Sequence, residues 1–322
     1  MRIAVIGGSG HIGTYLLPQL VRAGHEVLNL SRGTSEPFTE DQAWSEVEQI
    51  TVDRAAEDLD GSFPKRIAAL AADVVIDLIC FTPASADALV DELRGVSGHL
   101  IHCGSIWRYG VSRKLPMREE DTSPPFGDYG VQKAAIAELL AAETRSGGLV
   151  TTVLHPGHIS GPGWMPIGPL GNLDPQVWYA ISAGQEIAVP GLGAELMHHV
   201  HAADVAQAFA LAVQHRDAAA GEAFNAVAPS ALTVRGLLAI AADWFGQPLR
   251  TRSVSWEEFR STTAPKFADT SWEHLSRSQY ASIDKARTLL GYAPAYEPEA
   301  AILDGVRWLI EHDQLEVAHP LR

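Results

Sequence analysis

Short runs rich in apolar residues alternate with amphipathic segments through the first half of the chain. Most runs lack the polar alternation of a half-buried strand, so they are typical of strands covered on both faces in a parallel sheet. The pattern predicts an α/β fold built on a doubly wound parallel sheet. The predicted strands are residues 3–6, 26–30, 49–52, 73–79 and 100–103, and the predicted helices include 63–72, 83–94 and 203–215.

A glycine-rich turn follows the first predicted strand. Gly7, Gly10 and Gly13 lie between that strand and apolar residues at helical spacing, which is the order that a dinucleotide-binding turn requires. The missing side chains let the backbone approach a pyrophosphate, and the helix N-terminus supplies N–H groups and a positive dipole. The alternative is an ordinary tight turn. The predicted cofactor contacts in this turn are Gly7, Gly10, His11, Ile12 and Gly13.

The end of the second predicted strand carries no carboxylate. An acidic residue there would accept a hydrogen bond from a ribose 2′-hydroxyl, whereas an arginine accommodates a 2′-phosphate. Ser31 and Arg32 therefore favour NADP over NAD, with a solvent-exposed arginine as the alternative. Asp53, which follows the third strand, is either a contact to the adenine amino group or a helix N-cap. Thr82, before Pro83 at the start of a helix, is a further predicted cofactor contact.

Three residues farther along the chain have the chemistry of a hydride-transfer site. Tyr129 and Lys133 are four residues apart at the start of an amphipathic helix, so both project from one face. A tyrosine with its ordinary pKa of about 10 is a poor base near neutrality, and a neighbouring ammonium favours the phenolate. Ser105, just after the strand at 100–103, would orient the same substrate oxygen. The alternative is a hydroxyl network with a surface lysine.

These motifs together resemble the extended short-chain dehydrogenase/reductases, and within them the NAD-dependent epimerases/dehydratases. The resemblance covers most of the chain and continues through residues 151–164, 189–209 and 289–302. It implies a Rossmann-type sheet and catalytic roles for Ser105, Tyr129 and Lys133. It also implies that Lys133 holds the nicotinamide ribose and that Pro156 and His158 are cofactor contacts near the nicotinamide.

The same resemblance implies a smaller C-terminal α/β lobe for substrate, interleaved with the dinucleotide-binding lobe. Residues 1–155 with about 203–230 are expected to form the dinucleotide-binding lobe. Residues 156–202 with about 231–322 are expected to form the substrate-binding lobe. The polar stretch 261–280 is predicted to be either a mobile flap or an oligomer contact, and a homodimer is one option.

Departures from the family's sequence pattern restrict the reactions that this chain is expected to catalyse. Ile106 and Trp107 follow Ser105 where 4,6-dehydratases carry an Asp-Glu pair, so elimination of water is rejected. Met197 and His155 stand where many sugar-nucleotide members have arginines. The leading hypothesis is NADP-dependent oxidoreduction of a secondary alcohol or ketone on a small polar, sugar-like or natural-product substrate, with NAD as the other cofactor. The alternatives are a sugar or nucleotide-sugar epimerase and a non-catalytic dinucleotide-sensing or RNA-binding protein.

Substrate contacts are predicted around the Gly/Pro-rich loop 161–175. Loops that leave the carboxyl ends of parallel strands form the pockets of such folds. The nearby His198, His199 and His201 are predicted to be structural or substrate-contacting residues, and no metal is expected, because a metal site needs three or four converging ligands. The predicted substrate contacts are Ser105, Ile106, Trp107, His158, Trp164 and Asn172.

Composition restricts the partners and the location. The 322-residue chain has 39 acidic and 24 basic residues and a net charge of -15, and such a surface repels nucleic acid and anionic membranes. Cys80 and Cys103 lie in apolar runs and are expected to be reduced core residues. A first strand at residue 2 leaves no room for a signal peptide, and no run is long enough to span a bilayer. The sequence therefore predicts a cytoplasmic protein without nucleic-acid or membrane partners.

Overall fold

The computed structural model describes residues 1–322 and contains thirteen β-strands. They are β1 (Arg2–Ile6), β2 (Glu26–Ser31), β3 (Glu48–Thr51), β4 (Val74–Asp77), β5 (His99–Cys103), β6 (Thr151–Pro156), β7 (His158–Ser160), β8 (Glu186–Pro190), β9 (Leu196–Met197), β10 (His199–His201), β11 (Ala223–Ala226), β12 (Leu232–Thr233) and β13 (Arg250–Val254).

Thirteen α-helices connect and cover these strands. They are α1 (Gly13–Arg22), α2 (Arg54–Asp60), α3 (Phe63–Ala68), α4 (Pro83–Leu93), α5 (Asp128–Arg145), α6 (Pro175–Ser182), α7 (Ala202–Gln214), α8 (Arg216–Ala219), α9 (Val234–Trp244), α10 (Trp256–Thr262), α11 (Pro265–Leu275), α12 (Asp284–Leu290) and α13 (Pro298–Glu311). A membrane-spanning helix would need more length and more apolar surface than any of them offers.

Seven parallel strands form the central sheet, in the order β11-β6-β5-β4-β1-β2-β3. Strand β1 pairs with β2 on one side and with β4 on the other, so the strand order reverses at β1. Ligands of such sheets bind where the strand order reverses, beyond the carboxyl ends of the strands. The predicted α/β fold with a doubly wound parallel sheet is confirmed, and the glycine turn lies at this reversal.

Apolar side chains form a separate core on each face of the sheet. Leu16 of α1 and Phe209 of α7 belong to the core on one face. Phe63 of α3 and Leu89 of α4 belong to the core on the other face. A third core, around Trp178, lies away from the sheet. Helices therefore cover the sheet on both sides, which is why β1 and β4 need uninterrupted apolar residues.

The division into two lobes stays a prediction, and one segment departs from the predicted boundaries. The predicted substrate lobe includes residues 231–322, but α12 packs against α7 and β11. Ile283, Ala286 and Tyr292 join the core that contains Phe209. The physical reason is the position of β11 at the edge of the sheet, where α12 covers a strand edge that would otherwise be open.

Two predicted elements end earlier in the structure. The predicted strand 73–79 stops at Asp77, whose Oδ1 accepts a hydrogen bond from Ile79 N at 3.1 Å and turns the chain. The predicted helix 63–72 ends at Ala68, and Ala71 adopts a left-handed φ of 48°. Apolar patterning does not encode either ending, because a side-chain hydrogen bond sets one and a backbone conformation sets the other.

Candidate active site

The glycine turn between β1 and α1 leaves no room for side chains. Gly7 has a φ of +84°, and a Cβ there would lie 2.7 Å from Ile79 Cγ2. A Cβ on Gly13 would lie 1.9 Å from the carbonyl oxygen of Gly8. Gly10 N donates to Gly7 O at 3.1 Å and closes the turn. Only glycine fits the first two of these positions without moving the backbone.

The start of α1 presents free backbone donors. The N–H groups of His11, Ile12 and Gly13 have no acceptor within the protein, and no side chain caps the helix. Free N–H groups at the positive end of a helix dipole form an anion site. The turn and these donors therefore fit the pyrophosphate of a dinucleotide.

The His11 side chain lies apart from these donors. Its ring is buried and stacks on Trp164, with ring centroids 5.0 Å apart. Burial lowers the pKa of His11 to about 4, so the imidazole is neutral near pH 7. The predicted cofactor contact of His11 therefore depends on its backbone N–H. Trp164, a predicted substrate contact, is half exposed, and its contact with substrate stays a prediction.

A cavity of about 460 Å³ opens beside the glycine turn. Ser31 Oγ accepts from Gly33 N at 3.2 Å, and Arg32 is exposed and forms no ion pair or hydrogen bond. Asp53 caps α2 by accepting from Ala56 N at 3.2 Å and also lines the cavity, so both of its predicted roles remain open. The cavity walls include six predicted cofactor contacts: Gly7, Gly10, Ser31, Arg32, Asp53 and Thr82.

Arg54 forms a wall of this cavity that the sequence analysis missed. Its Nη1 donates to both carboxylate oxygens of Asp77 at 2.7 and 2.8 Å, and its Nη2 donates to Ser85 Oγ at 2.9 Å. Asp77, Cys80 and His102 bring potential metal-ligand atoms together, but the Asp77 carboxylate is already paired with Arg54. The sequence did contain one signal for the Arg54–Asp77 ion pair. Asp77 is an acidic residue at the end of an apolar strand, and a buried carboxylate needs a cation.

Ser105, Tyr129 and Lys133 come together where β5 ends and α5 begins. Burial raises the pKa of Tyr129 well above its ordinary value, although 41% of the residue's surface is exposed. The Cys103 thiol raises that pKa further, and the nearby Ser105 hydroxyl lowers it. The Tyr129 phenol is therefore protonated at neutral pH.

Lys133 departs from the expectation that it lowers the pKa of Tyr129. Its Nζ donates to the carbonyl oxygens of Cys80 and Cys103 at 2.8 and 2.6 Å, and lies 5.7 Å from the centroid of the Tyr129 ring. The residue is 1% exposed, and burial lowers the pKa of Lys133. Because the backbone carbonyls of Cys80, beyond β4, and Cys103, at the end of β5, hold the ammonium, the expected lowering of the Tyr129 pKa is absent from this structure.

His155 supports Ser105 from the core. Ser105 N donates to His155 Nδ1 at 3.2 Å, and Trp107 N donates to Ser105 Oγ at 3.2 Å. Burial lowers the pKa of His155 well below its ordinary value, so the ring is neutral and can accept. A Cβ on Gly104 would lie 2.3 Å from His155 Nδ1, so a glycine there makes room for the ring. The histidine at the position of the family's arginine thus has a structural role.

Two predicted substrate contacts have no free side chain. Ile106 is buried in the core that contains Phe209, because the 3-10 turn after Ser105 points it inward. Asn172 is 1% exposed, its Nδ2 donates to Ser271 Oγ at 2.8 Å, and its Oδ1 accepts from a backbone N–H at 2.9 Å. The structure assigns both side chains to packing, which corrects the prediction.

Trp107 and His158 lie at the site. The Trp107 ring centroid is 5.6 Å from that of Tyr129 and 4.7 Å from that of His274. His158 is half-buried, and its ring centroid lies 4.9 Å from that of His274. Pro156 is buried at the end of β6. Contacts of Trp107 and His158 with substrate, and of Pro156 and His158 with cofactor, stay predictions.

The polar stretch 261–280 closes one side of the site. Arg277 lies between the rings of Trp107 and Phe126, with its guanidinium carbon 3.7 and 3.8 Å from their centroids. Gln279 Nε2 donates to two carbonyl oxygens of the turn after β5 at 2.9 and 3.0 Å. Much of the stretch is helical, in α10 and α11, and these buried contacts differ from the predicted flap. Sequence patterns missed them because the partners lie far away along the chain.

His198 and His201 have structural roles. His198 Nε2 lies 2.8 Å from Ala228 O, and its Nδ1 accepts from Ala281 N at 3.1 Å. His201 Nδ1 caps α7, and its Nε2 lies 3.2 Å from Asp304 Oδ2. All four ring nitrogens are therefore occupied within the protein.

Comparison with known proteins places this geometry in context. The model of the NAD dependent epimerase/dehydratase family matches residues 3–226. A 2'-dehydrokanamycin reductase of Streptomyces kanamyceticus is 26% identical over 284 residues, which cover 85% of this chain and 76% of the relative. The chloroplast stem-loop binding protein of 41 kDa b of Arabidopsis thaliana is 27% identical over 314 residues, which cover 94% of this chain and 78% of the relative.

A solved structure shows the same fold. The crystal structure of UDP-glucuronic acid 4-epimerase from Bacillus cereus in complex with UDP-glucuronic acid and NAD aligns with a TM-score of 0.74 at 16% identity, covering 97% of this chain and 100% of that one. The residues matched by the family model include the glycine turn, the cavity and the segment from Ser105 to Lys133. The chain therefore belongs to the NAD dependent epimerase/dehydratase family, and it is an NAD(P)-dependent enzyme of the short-chain dehydrogenase/reductase type.

Proposed function

We propose that this protein is an NADPH-dependent reductase that converts a ketone on a small polar molecule to a secondary alcohol, or catalyses the reverse oxidation. Tyr129 exchanges the proton on the substrate oxygen, Ser105 orients that oxygen and Lys133 holds the nicotinamide ribose. The observation that carries the proposal is the meeting of these three residues next to a turn whose glycines and free amides suit a dinucleotide.

Residues of this chain carry out the proton transfer. Bound nicotinamide would supply a hydride to the carbonyl carbon, or accept one in the reverse direction. The substrate oxygen takes the proton of the Tyr129 hydroxyl, and the raised pKa of Tyr129 keeps that proton in place at neutral pH. Trp107 N already donates to Ser105 Oγ, so the Ser105 hydroxyl hydrogen is free to bond to the same oxygen.

One N–H group of the Lys133 ammonium has no acceptor within the protein. An ammonium has three N–H groups, and the carbonyls of Cys80 and Cys103 accept two of them. We assign the third to a hydroxyl of the nicotinamide ribose.

We also propose that NADP is preferred over NAD. Arg32 lies at the cavity wall with no carboxylate partner, next to the hydroxyl of Ser31. An unpaired guanidinium is suited to a 2′-phosphate, which it binds by charge-assisted hydrogen bonds. A carboxylate, which would repel that phosphate, is absent from the end of β2.

Arg32→Ala is expected to weaken NADPH binding by about 10- to 100-fold and to leave NADH binding nearly unchanged, because NADH lacks the 2′-phosphate. Titration calorimetry with each nucleotide measures both affinities. Arg113→Ala is the matched control, since Arg113 is also exposed and unpaired. An equal loss for the two nucleotides would show that Arg32 does not distinguish them.

Epimerisation of a sugar nucleotide is the second candidate, and the family's epimerases favour it. The same three residues would oxidise a carbinol and then reduce the ketone from its other face. Met197 counts against this candidate. It is fully buried in the core around Trp178 and supplies no cation for a substrate diphosphate.

The nucleotide content of the purified protein separates the two candidates. An epimerase recycles its cofactor within each turnover and retains it, whereas a net reductase exchanges it. We expect freshly purified protein, once denatured, to release no stoichiometric nucleotide by mass spectrometry, and the native protein to bind NADPH from solution. Retained NAD would favour the epimerase, and an empty protein that binds neither nucleotide would overturn both candidates.

A further inference from the structure

Three histidines outside the proposed catalytic residues meet beside Trp107. The His158 ring centroid lies 5.1 Å from that of His199 and 4.9 Å from that of His274. His274 in turn lies 4.7 Å from the Trp107 ring. These residues, called the histidine cluster below, come from β7, β10 and α11. The cluster is therefore a product of the tertiary fold, and it lies next to Trp107, whose ring centroid is 5.6 Å from that of Tyr129.

The histidine cluster has hydrogen-bonding capacity that the protein does not use. His158 Nδ1 and His199 Nε2 are buried and have no partner. His199 Nδ1 lies 2.9 Å from Ser160 Oγ, and His274 Nδ1 lies 2.9 Å from Thr270 O, so two of the rings are held in fixed orientations. Unpaired buried polar atoms cost free energy, and a ligand that pairs them recovers it.

The histidine cluster is uncharged near neutral pH. Burial lowers the pKa of His274 to about 4 and that of His199 to about 3, and it lowers the pKa of His158 well below its ordinary value. Apart from histidines, Arg277 is the only titratable group that contributes to these shifts, and no carboxylate does. A hydroxyl both donates and accepts, so it matches a neutral imidazole in either tautomer.

Charged substrates are expected to bind poorly at the surface that the histidine cluster, Trp107 and Arg277 form. Arg277 is the only charged group that contributes to the pKa shifts of the histidine cluster, and its positive charge disfavours an ammonium. Arg277 also cannot turn to a phosphate, because it is 1% exposed, lies between two aromatic rings and donates to the carbonyls of Phe126, at 2.7 Å, and Glu273. This surface is therefore suited to neutral polar groups.

We propose that the histidine cluster is a substrate subsite for the hydroxyl groups of an uncharged, polyhydroxylated ring, such as a free sugar or cyclitol, that packs against Trp107. The proposal rests on the proposed function, because it takes the reacting carbonyl of that ring to lie at Tyr129. The histidine cluster would bind the hydroxyl groups of the ring that do not react.

His274→Phe tests the subsite, because the phenyl ring keeps the packing against Trp107 and removes both ring nitrogens. The matched control is His215→Phe, at an exposed residue after α7. Saturation-transfer NMR on the NADP⁺-loaded full chain compares myo-inositol and methyl glucoside with glucosamine and glucose 6-phosphate. The two uncharged probes are expected to bind the wild type more tightly than the charged ones. His274→Phe is expected to weaken their binding about tenfold, and His215→Phe to leave it unchanged.

NADPH affinity, measured on the same samples, keeps the two proposals separate. A wild-type protein that does not bind NADPH overturns the proposed function. Intact NADPH binding together with no bound uncharged probe, tighter binding of a charged probe, or an unchanged His274→Phe variant overturns the subsite alone. His158→Leu replaces His274→Phe if the latter does not fold, with the same expected loss.

Discussion

Tyr129→Phe is expected to lower kcat for NADPH-dependent reduction by about 10²- to 10⁴-fold, the range typical of a lost general acid. The dissociation constant of NADPH is expected to change less than about twofold, because the glycine turn and Lys133 are untouched. The phenyl ring keeps its neighbours, with Phe81 at 6.4 Å and Trp107 at 5.6 Å between ring centroids. The loss therefore isolates the hydroxyl.

Two further measurements make this result specific. Tyr280→Phe removes a hydroxyl that donates to Pro229 O and bonds to none of the proposed catalytic residues, and it is expected to leave kcat unchanged. Because the pKa of Tyr129 is raised, wild-type kcat for reduction is expected to stay level through neutral pH and to fall only at alkaline pH, where the phenol loses its proton. A Tyr129→Phe enzyme with wild-type kcat would assign the proton to another group.

Arg54→Met is expected to lower the free energy of unfolding by about 3–5 kcal/mol, the cost of leaving one member of a buried ion pair without its partner. Arg54 is 9% exposed and Asp77 is 2% exposed, so the carboxylate left behind has little access to water. Urea denaturation in the absence of nucleotide measures the change. Nucleotide is left out because Arg54 lines the cavity and binding would add to stability.

Two companion variants show whether burial is the cause. Arg66→Met breaks a 2.7 Å ion pair with Glu57 whose arginine is 44% exposed, and it is expected to cost less than about 1 kcal/mol. The double variant Arg54→Met/Asp77→Leu removes both buried charges and is expected to recover most of the lost stability. An Arg54→Met protein as stable as Arg66→Met would show that solvent reaches the Asp77 carboxylate.

The dinucleotide turn could be predicted from sequence because its chemistry is local. The glycines stand in fixed order between one strand and one helix, and the structure places them where side chains would collide. The residues that approach the cavity from strand ends, Ser31, Arg32 and Asp53, could be anticipated for the same reason, because parallel strands end at one edge.

Side-chain direction in turns and loops could not be predicted in the same way. Ile106 lies one residue from Ser105, yet the turn sends it into the core. Asn172 lies in the predicted substrate loop, yet its amide bonds to Ser271 on α11. A turn's backbone angles decide whether a residue faces a pocket or a core, and apolar periodicity carries no information about them.

The α/β fold, the family and the order of the glycine turn, Ser105, Tyr129 and Lys133 were all predictable from the sequence. Periodicity and motif spacing act over a few residues, so they survive in the sequence alone. Three features became visible only in the folded protein: backbone carbonyls hold the Lys133 ammonium, Arg54 pairs with Asp77, and the histidine cluster forms. Each of these contacts joins residues from separate parts of the chain, and the packing of the helices and strands brings them together.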